Sequence, residues 1–243
     1  MKSNNFFHLV ISSILCVFNA EGTAVAQSKN QDPKTQTFRY VRLAKSKWIT
    51  ESDIRLQQSS QGLTYTSVTS RGKLKLTVTS KYDAKMRLRS AQVTTKQGKV
   101  VRLAAVRVTD AKATVTRRGK ATITLPCPRQ VIVTSAPDWT DSVLTVRRYK
   151  SDGKKTQTFV GLWIHPTKKP LSLTFRLVKL GRDSVSRGGK TERLDRFELV
   201  LRAGSKYLVW RNRQGNLVRL MSSRSRKGGI ALAGWEKATR NLP

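Results

Sequence analysis

The sequence predicts a mainly β fold: a curved antiparallel sheet, or half-barrel, with one helix packed in its concave face and a short C-terminal helix. Three observations point there. The first is an alternation of basic and apolar residues, clearest in Lys73-Leu74-Lys75-Leu76-Thr77-Val78-Thr79 and Lys85-Met86-Arg87-Leu88-Arg89, and shorter at Arg107-Val108-Thr109 and Arg219-Leu220. A strand sends successive side chains to opposite faces, so this spacing makes a sheet apolar on one side and positive on the other. The second is punctuation at Gln61-Gly62, Arg71-Gly72, Gln97-Gly98 and Arg118-Gly119, which suits an antiparallel meander rather than a βαβ layout. The third is a break in the alternation from Ser135 to Tyr149, where Trp139, Val143, Val146 and Tyr149 or Lys150 recur at helical spacing. Ser135 can cap that helix and Pro137 suits its first turn. An apolar concave face needs a cover, and an amphipathic helix carrying Trp139 supplies one.

Taken in order, residues 1–26 read as a secretory signal peptide. Lys2 gives the positive start, Phe6 to Phe18 the apolar stretch, and Ala24-Val25-Ala26 a small-x-small cleavage site before Gln27. The apolar stretch is shorter than the about 20 residues a membrane span needs. Cleavage after Ala26 implies a secreted or periplasmic protein with no transmembrane segment. Residues 27–225 form the expected half-barrel domain. Within it, 27–37 reads as a flexible lead-in, Phe38 to Leu43 as a first strand, and the parity slip at Ala104-Ala105 as a bulge or bend. Two strands, Thr158 to Ile164 and Ser172 to Leu180, follow the Asp152-Gly153 turn. Arg182 to Arg193 reads as a mobile basic loop, and a hairpin turns at Gln214-Gly215. Residues 226–243 form an Arg-, Ser- and Gly-rich tail in which Ile230 to Thr239 is the short terminal helix.

The 243 residues carry 48 Lys and Arg against 14 Asp and Glu, a formal net charge of +34. Loss of residues 1–26 removes one lysine and one glutamate and leaves that balance unchanged. It also leaves Cys127 as the single cysteine, so no intramolecular disulfide forms. The flanking prolines, Pro126 and Pro128, place this thiol at a strand end, where it is buried rather than reactive.

The layout of signal peptide, meander, mid-chain helix and terminal hairpin resembles the half-barrel domains of bacterial envelope proteins. These include secreted domains of unknown function and, similar in layout, the lipoprotein carriers. The local resemblance is strongest over Tyr207-Leu208-Val209-Trp210-Arg211-Asn212-Arg213-Gln214-Gly215-Asn216-Leu217-Val218-Arg219-Leu220, an aromatic strand, a polar turn and a return strand. The resemblance implies acyl-chain binding in the concave face. The chain departs from the carriers in its positive charge.

Catalytic chemistry is poorly supplied. His165 is the one histidine after residue 26, precedes a proline, and cannot complete a zinc site with Cys127. The acidic pairs Glu51 and Asp53, Asp138 and Asp141, and the group Glu192, Asp195 and Glu198 sit among so many cations that each is expected in a salt bridge. No phosphate loop, dinucleotide fingerprint or calcium loop is present, and no cofactor or metal is expected. The leading expectation is therefore a non-enzymatic secreted envelope protein that binds a lipid or amphiphile in an apolar concave face and carries a basic outer face. The candidate apolar contacts are Trp139, Val143, Val146, Trp163, Leu173 and Phe175. The alternative is a polyanion-binding surface protein with a filled core, its ligand an acidic glycan, lipopolysaccharide or, without specificity, nucleic acid. Its candidate contacts are Arg117, Arg118, Lys120, Arg147, Arg148, Arg211 and Arg213. Trp210 and Trp235, flanked by Arg211 and Lys237, are the better surface-stacking candidates, and Trp139 and Trp163 the better core residues.

Overall fold

In the computed structural model the alternation along the first half of the chain becomes a run of hairpins. The residues described are 34–44, 47–128, 130–135, 141–201, 204–223, 229–236 and 238. Residues 1–26, expected as a signal peptide, and Asp138 and Trp139 lie outside them. The eight strands are β1 (Lys34–Ala44), β2 (Lys47–Ser59), β3 (Gly62–Arg71), β4 (Leu74–Asp83), β5 (Leu88–Gln97), β6 (Val100–Thr109), β7 (Lys112–Arg117) and β8 (Lys120–Pro126). In β4 the period of two is plain. Leu76, Val78, Ser80 and Tyr82 are buried on one face, while Lys75 and Lys81 are exposed on the other.

The second half is built around a crossover. Strand β9 (Val131–Thr134) pairs in parallel with β10 (Thr156–Trp163), and helix α1 (Asp141–Arg148) lies between them in sequence. Two parallel neighbours cannot be joined by a tight turn, so the chain must leave the sheet and return, and a helix is the usual way. Antiparallel hairpins then resume through β11 (Leu171–Arg187), β12 (Lys190–Leu201), β13 (Lys206–Arg211), β14 (Leu217–Ser222) and β15 (Gly229–Leu232). Strand β15 also pairs with β1. One open, curved, 15-stranded sheet results, in the order β8-β7-β6-β5-β4-β3-β2-β1-β15-β14-β13-β12-β11-β10-β9.

The outermost strands, β8 and β9, are consecutive in sequence. The connection between them reaches at most roughly 18 Å. A sheet this wide can satisfy that link only by curling until its two edges approach each other. Two hydrogen bonds show the approach: Arg117 Nη1 in β7 donates to the Lys168 carbonyl beyond β10 at 2.7 Å, and the Val133 amide in β9 donates to the Tyr82 hydroxyl in β4 at 3.4 Å.

The main core lies on the inner face. Val143, Leu144 and Val146 of α1 join Ile54, Leu56, Leu177, Phe197 and their neighbours in one buried cluster. A smaller cluster forms on the opposite face of β11–β14, where Trp235 and Ala238 cover Val185, Leu194, Trp210, Val218 and Met221. Strands β13 and β14 are therefore buried on both faces, and alternation disappears there: Leu217 through Met221 are all buried.

Several expectations are corrected. Gly229–Leu232 is a strand held between β1 and β14 rather than the start of a terminal helix, so the sheet continues beyond the expected domain boundary at 225. Lys34–Thr37, expected as lead-in, already belongs to β1. Lys85–Arg87 forms a turn, not a strand; the Asp83 carboxylate accepts the Lys85 and Arg87 amides at 3.0 and 2.9 Å, and Met86 takes a φ of 59°. No bulge interrupts β6 at Ala104-Ala105. Ala104 and Val106 face inward, and the upstream Val101 and Leu103 face solvent, so the parity change marks apolar residues on the outer face. Arg182 to Arg193 is no loose loop, since β11 and β12 stay paired up to Arg187 and Lys190 around a Gly188-Gly189 turn. Trp210 and Trp235 are buried at 0% and 2% exposure, whereas Trp163 is half-buried and stacks on His165.

Candidate functional site

The helix that crosses between β9 and β10 ends beside the starts of β1 and β9 and the turn between β4 and β5. Its apolar face, Val143, Leu144 and Val146, is fully packed. Its last residues, Arg147 and Arg148, lie one turn beyond Leu144 on the same side of the helix. Basic side chains at a helix C-terminus complement the partial negative charge there. The helix end is closed by a third arginine. Arg211 Nη1 donates to the carbonyls of Val146 at 3.1 Å and Tyr149 at 3.0 Å, Nη2 reaches Ser151 and Asp195 at 2.8 and 2.9 Å, and the guanidinium lies over the Tyr149 and Phe197 rings.

Where Arg147 and Arg148 emerge, the structure leaves a cavity of about 410 Å³. Its apolar part is made by Leu56 of β2, Leu63 of β3, Met86 of the β4–β5 turn and Leu144 of α1. Leu56 and Leu144 are buried, while Leu63 and Met86 are half-buried and give the hollow its apolar surface. Basic groups surround it: Lys34, Lys85, Arg147, Arg148 and Lys150. Among the described residues neither Asp nor Glu lines it.

The two arginines are held by neutral oxygens. Arg147 donates to the side-chain amide oxygens of Asn216 and, at 3.0 Å, Gln36, and lies over the Phe38 ring. Arg148 donates to the carbonyls of Gln130, Val131 and Met86 at 3.3, 3.1 and 3.2 Å and lies 4.7 Å over the Tyr82 ring. Burial pushes both guanidinium groups below the usual arginine range, with a smaller opposing influence from Tyr40 and Tyr82. A guanidinium stays protonated at such values. The hollow thus holds two desolvated positive charges bonded to neutral oxygens, above an apolar floor.

The expected apolar contacts are not the residues that line this hollow. Val143 and Val146 are packed in the core, and Phe175 is stacked on Phe159 at a centroid distance of 5.9 Å. Trp163 and Leu173 are half-buried, and none of these five lines the hollow. The expected polyanion contacts fall in several places. Arg147 and Arg148 rim the cavity. Arg117 and Arg211 are buried at 7% and 6% exposure, not surface groups. Arg118 and Lys120 are exposed at the β7–β8 turn. Arg213 is exposed in a polar hollow of about 610 Å³ with Arg182, Arg193 and Arg211. That hollow also contains Asp195 and Glu192, already paired with Lys179, Arg182, Arg211 and Arg187, so carboxylates stand among its arginines. The cavity residues missed from sequence, Leu56, Leu63, Met86, Lys34 and Lys85, come from four separate segments. Only the Arg147-Arg148 pair at the end of the helical pattern signalled the place.

Four of the expected carboxylates find cationic partners, as the charge balance suggests. Asp53, Glu192, Asp195 and Glu198 each sit in an ion pair. Burial raises the Asp195 pKa, but Arg211, Arg182 and Lys179 outweigh it and hold the carboxyl below its ordinary value. Cys127 is buried, and burial pushes its thiol up, away from nucleophilic thiolate. Among the described residues no three His, Cys, Asp or Glu side chains gather as a metal site, and no helix is long and apolar enough to cross a membrane.

No protein-family model matches the chain, and no curated protein matches its sequence. Its fold is similar to solved bacterial structures. One is a beta-barrel-like protein of the domain of unknown function DUF1849 from Brucella abortus, at 12% identity, covering 83% of this chain and 94% of that chain with a TM-score of 0.51. Another is a DUF1089 family protein from Pseudomonas aeruginosa, at 15% identity, covering 70% and 89% with a TM-score of 0.46. The first of these likenesses fits the barrel-like architecture, and at this identity it concerns fold alone.

Proposed function

We propose that this is an exported, non-enzymatic protein that binds an anionic amphiphile, a single acyl chain with a negative headgroup, at the C-terminal end of α1. The observation that carries the reading is the combination in one hollow of an apolar floor, Leu56, Leu63, Met86 and Leu144, with five basic residues and no carboxylate. Apolar burial favours a hydrocarbon chain, and unpaired desolvated charge favours an anionic head. About 410 Å³ lies toward the small end of the roughly 300–1,000 Å³ of ligand cavities, room for one chain. In this reading the concave face behind α1 is a filled core that supports the site, and the ligand sits where the helix ends. The leader-like residues 1–26 support export to an envelope where such molecules are abundant.

Equilibrium dialysis tests this with radiolabelled palmitate and, as the neutral comparison, monopalmitoylglycerol. Retention of palmitate above the neutral lipid is expected, with loss of that preference in a Lys34→Glu, Lys85→Glu variant. Both residues are exposed, so the variant keeps its fold. No retention of palmitate, or equal retention of both lipids, contradicts the proposal.

A further inference from the structure

The meander places its hairpin tips alternately at two ends of the strands. The cavity lies at the end where β1 begins and β2 turns into β3. At the other end lie the tips Arg71-Gly72-Lys73, Gly98-Lys99 and Arg118-Gly119-Lys120, and the segment after β10 with Lys168 and Lys169. The ladder places them side by side. Arg71 pairs with Leu74, Leu74 with Gln97, Gln97 with Val100, and Ala104 two turns of the pleat further on with Arg117. The bond from Arg117 to the Lys168 carbonyl joins the last two segments. Every one of these tips is basic. Among the described residues, neither the tips nor the three strand residues on each side of them include an Asp or Glu.

The same end carries the exposed aliphatic side chains. Of the seven large apolar residues exposed among the described residues, six lie here: Ile49, Leu74, Val100, Val101, Leu103 and Leu171. Val100 and Val101 at the β5–β6 tip are each 54% exposed. Beside them Lys75 and Lys96 stand directly opposite each other across the β4–β5 ladder, both exposed, and Lys96 is opposite Val101. Like charges so placed destabilise a sheet unless something negative covers them.

We infer that this rim docks on an anionic lipid surface, its lysines and arginines against the headgroups and the β5–β6 tip in the interface. Basic residues interleaved with exposed aliphatic ones are the composition of peripheral membrane contacts. Among the described residues the exposed large apolar side chains are all aliphatic, which suits an acyl boundary, and the half-buried Trp163 at this end is already stacked on His165. The strands themselves are not a lipid-facing band, because Lys75, Lys96 and Arg107 project from their outer face. Contact is therefore through the tips alone. The rim and the cavity are at opposite ends, so this inference stands apart from the amphiphile reading.

Co-sedimentation of the compact segment Gln31–Pro243 with vesicles tests it. Binding to phosphatidylglycerol vesicles and not to phosphatidylcholine is expected. Val100→Asp with Val101→Asp, and separately Lys99→Glu with Arg118→Glu, are expected to weaken it at least about tenfold. Lys190→Glu with Arg193→Glu, an equal charge change at the opposite end, is expected to bind as the parent does. The inference is overturned by absence of binding to phosphatidylglycerol, by undiminished binding of either rim variant, or by an equal loss in the opposite-end variant. Retention on heparin without vesicle binding would assign the rim to a polysaccharide and overturn it too.

Discussion

Arg211 shows how a single residue fixes the end of α1 without lining the hollow beside it. It bonds the carbonyls at the end of α1, and Asp195 holds it there from β12. Both partners are shielded, with side-chain exposures of 7% and 16%. Removing Asp195 strands the buried Arg211 charge, and such losses run to about 3–5 kcal/mol. Asp195→Asn is therefore expected to lower stability by an amount in that range in urea unfolding, and Arg211→Met by less, because Lys179 and Arg182 still pair with Asp195; a change within experimental error in both would show that the helix end is held by packing alone. Acid acts on the same pair. Because the folded Asp195 pKa lies below 3.8, its contribution is fully present above that value and is lost as pH falls below it. His165 titrates in a separate window. Burial lowers its pKa first, with Lys168 and Arg102 adding to the effect, and the Thr167 amide donates to its Nδ1 at 3.2 Å. The neutral ring is thus the folded form. Stability is expected to be full above about pH 6.5 and to decline as pH falls through the lowered value, a loss that His165→Gln should abolish; an unchanged acid profile in that variant would assign the decline to other groups.

At the scale of elements, the sequence was legible where one face of the sheet meets water. The hairpins at Gly72, Gly98 and Gly119 and the inward row of β4 follow directly from glycine punctuation and period-two alternation. Legibility failed where both faces are covered. Under Trp235, strands β13 and β14 lose alternation, and Arg219 becomes buried, its pKa lowered by burial to about 10. Turns without glycine were also missed. Asp110 and Ala111 take φ values of 48° and 59°, and the β4–β5 turn relies on the Asp83 carboxylate instead. The helix was placed by its spacing, yet its role as the crossover between parallel strands depends on β9 pairing with β10, a contact that local pattern does not encode. The site was least legible of all, since its floor is drawn from β2, β3, the β4–β5 turn and α1.

The whole molecule is polarised along its strands. Acids concentrate away from the rim of Arg71, Lys99, Arg118 and Lys168, and the cavity opens at the far end among Lys34, Lys85 and Lys150. Part of the net charge of +34 thus lies in the basic hairpin tips at one end and part around the hollow at the other. The central claim concerns the hollow. A crystal structure of the protein grown with a terminally brominated fatty acid tests it most directly, because bromine is located by its anomalous scattering without interpretation of weak density. The account predicts a bromine peak among Leu56, Leu63, Met86 and Leu144, with the carboxylate within hydrogen-bonding distance of Arg147, Arg148 or a rim lysine. Bromine bound elsewhere, or a hollow left unaltered at saturating fatty acid, would contradict it.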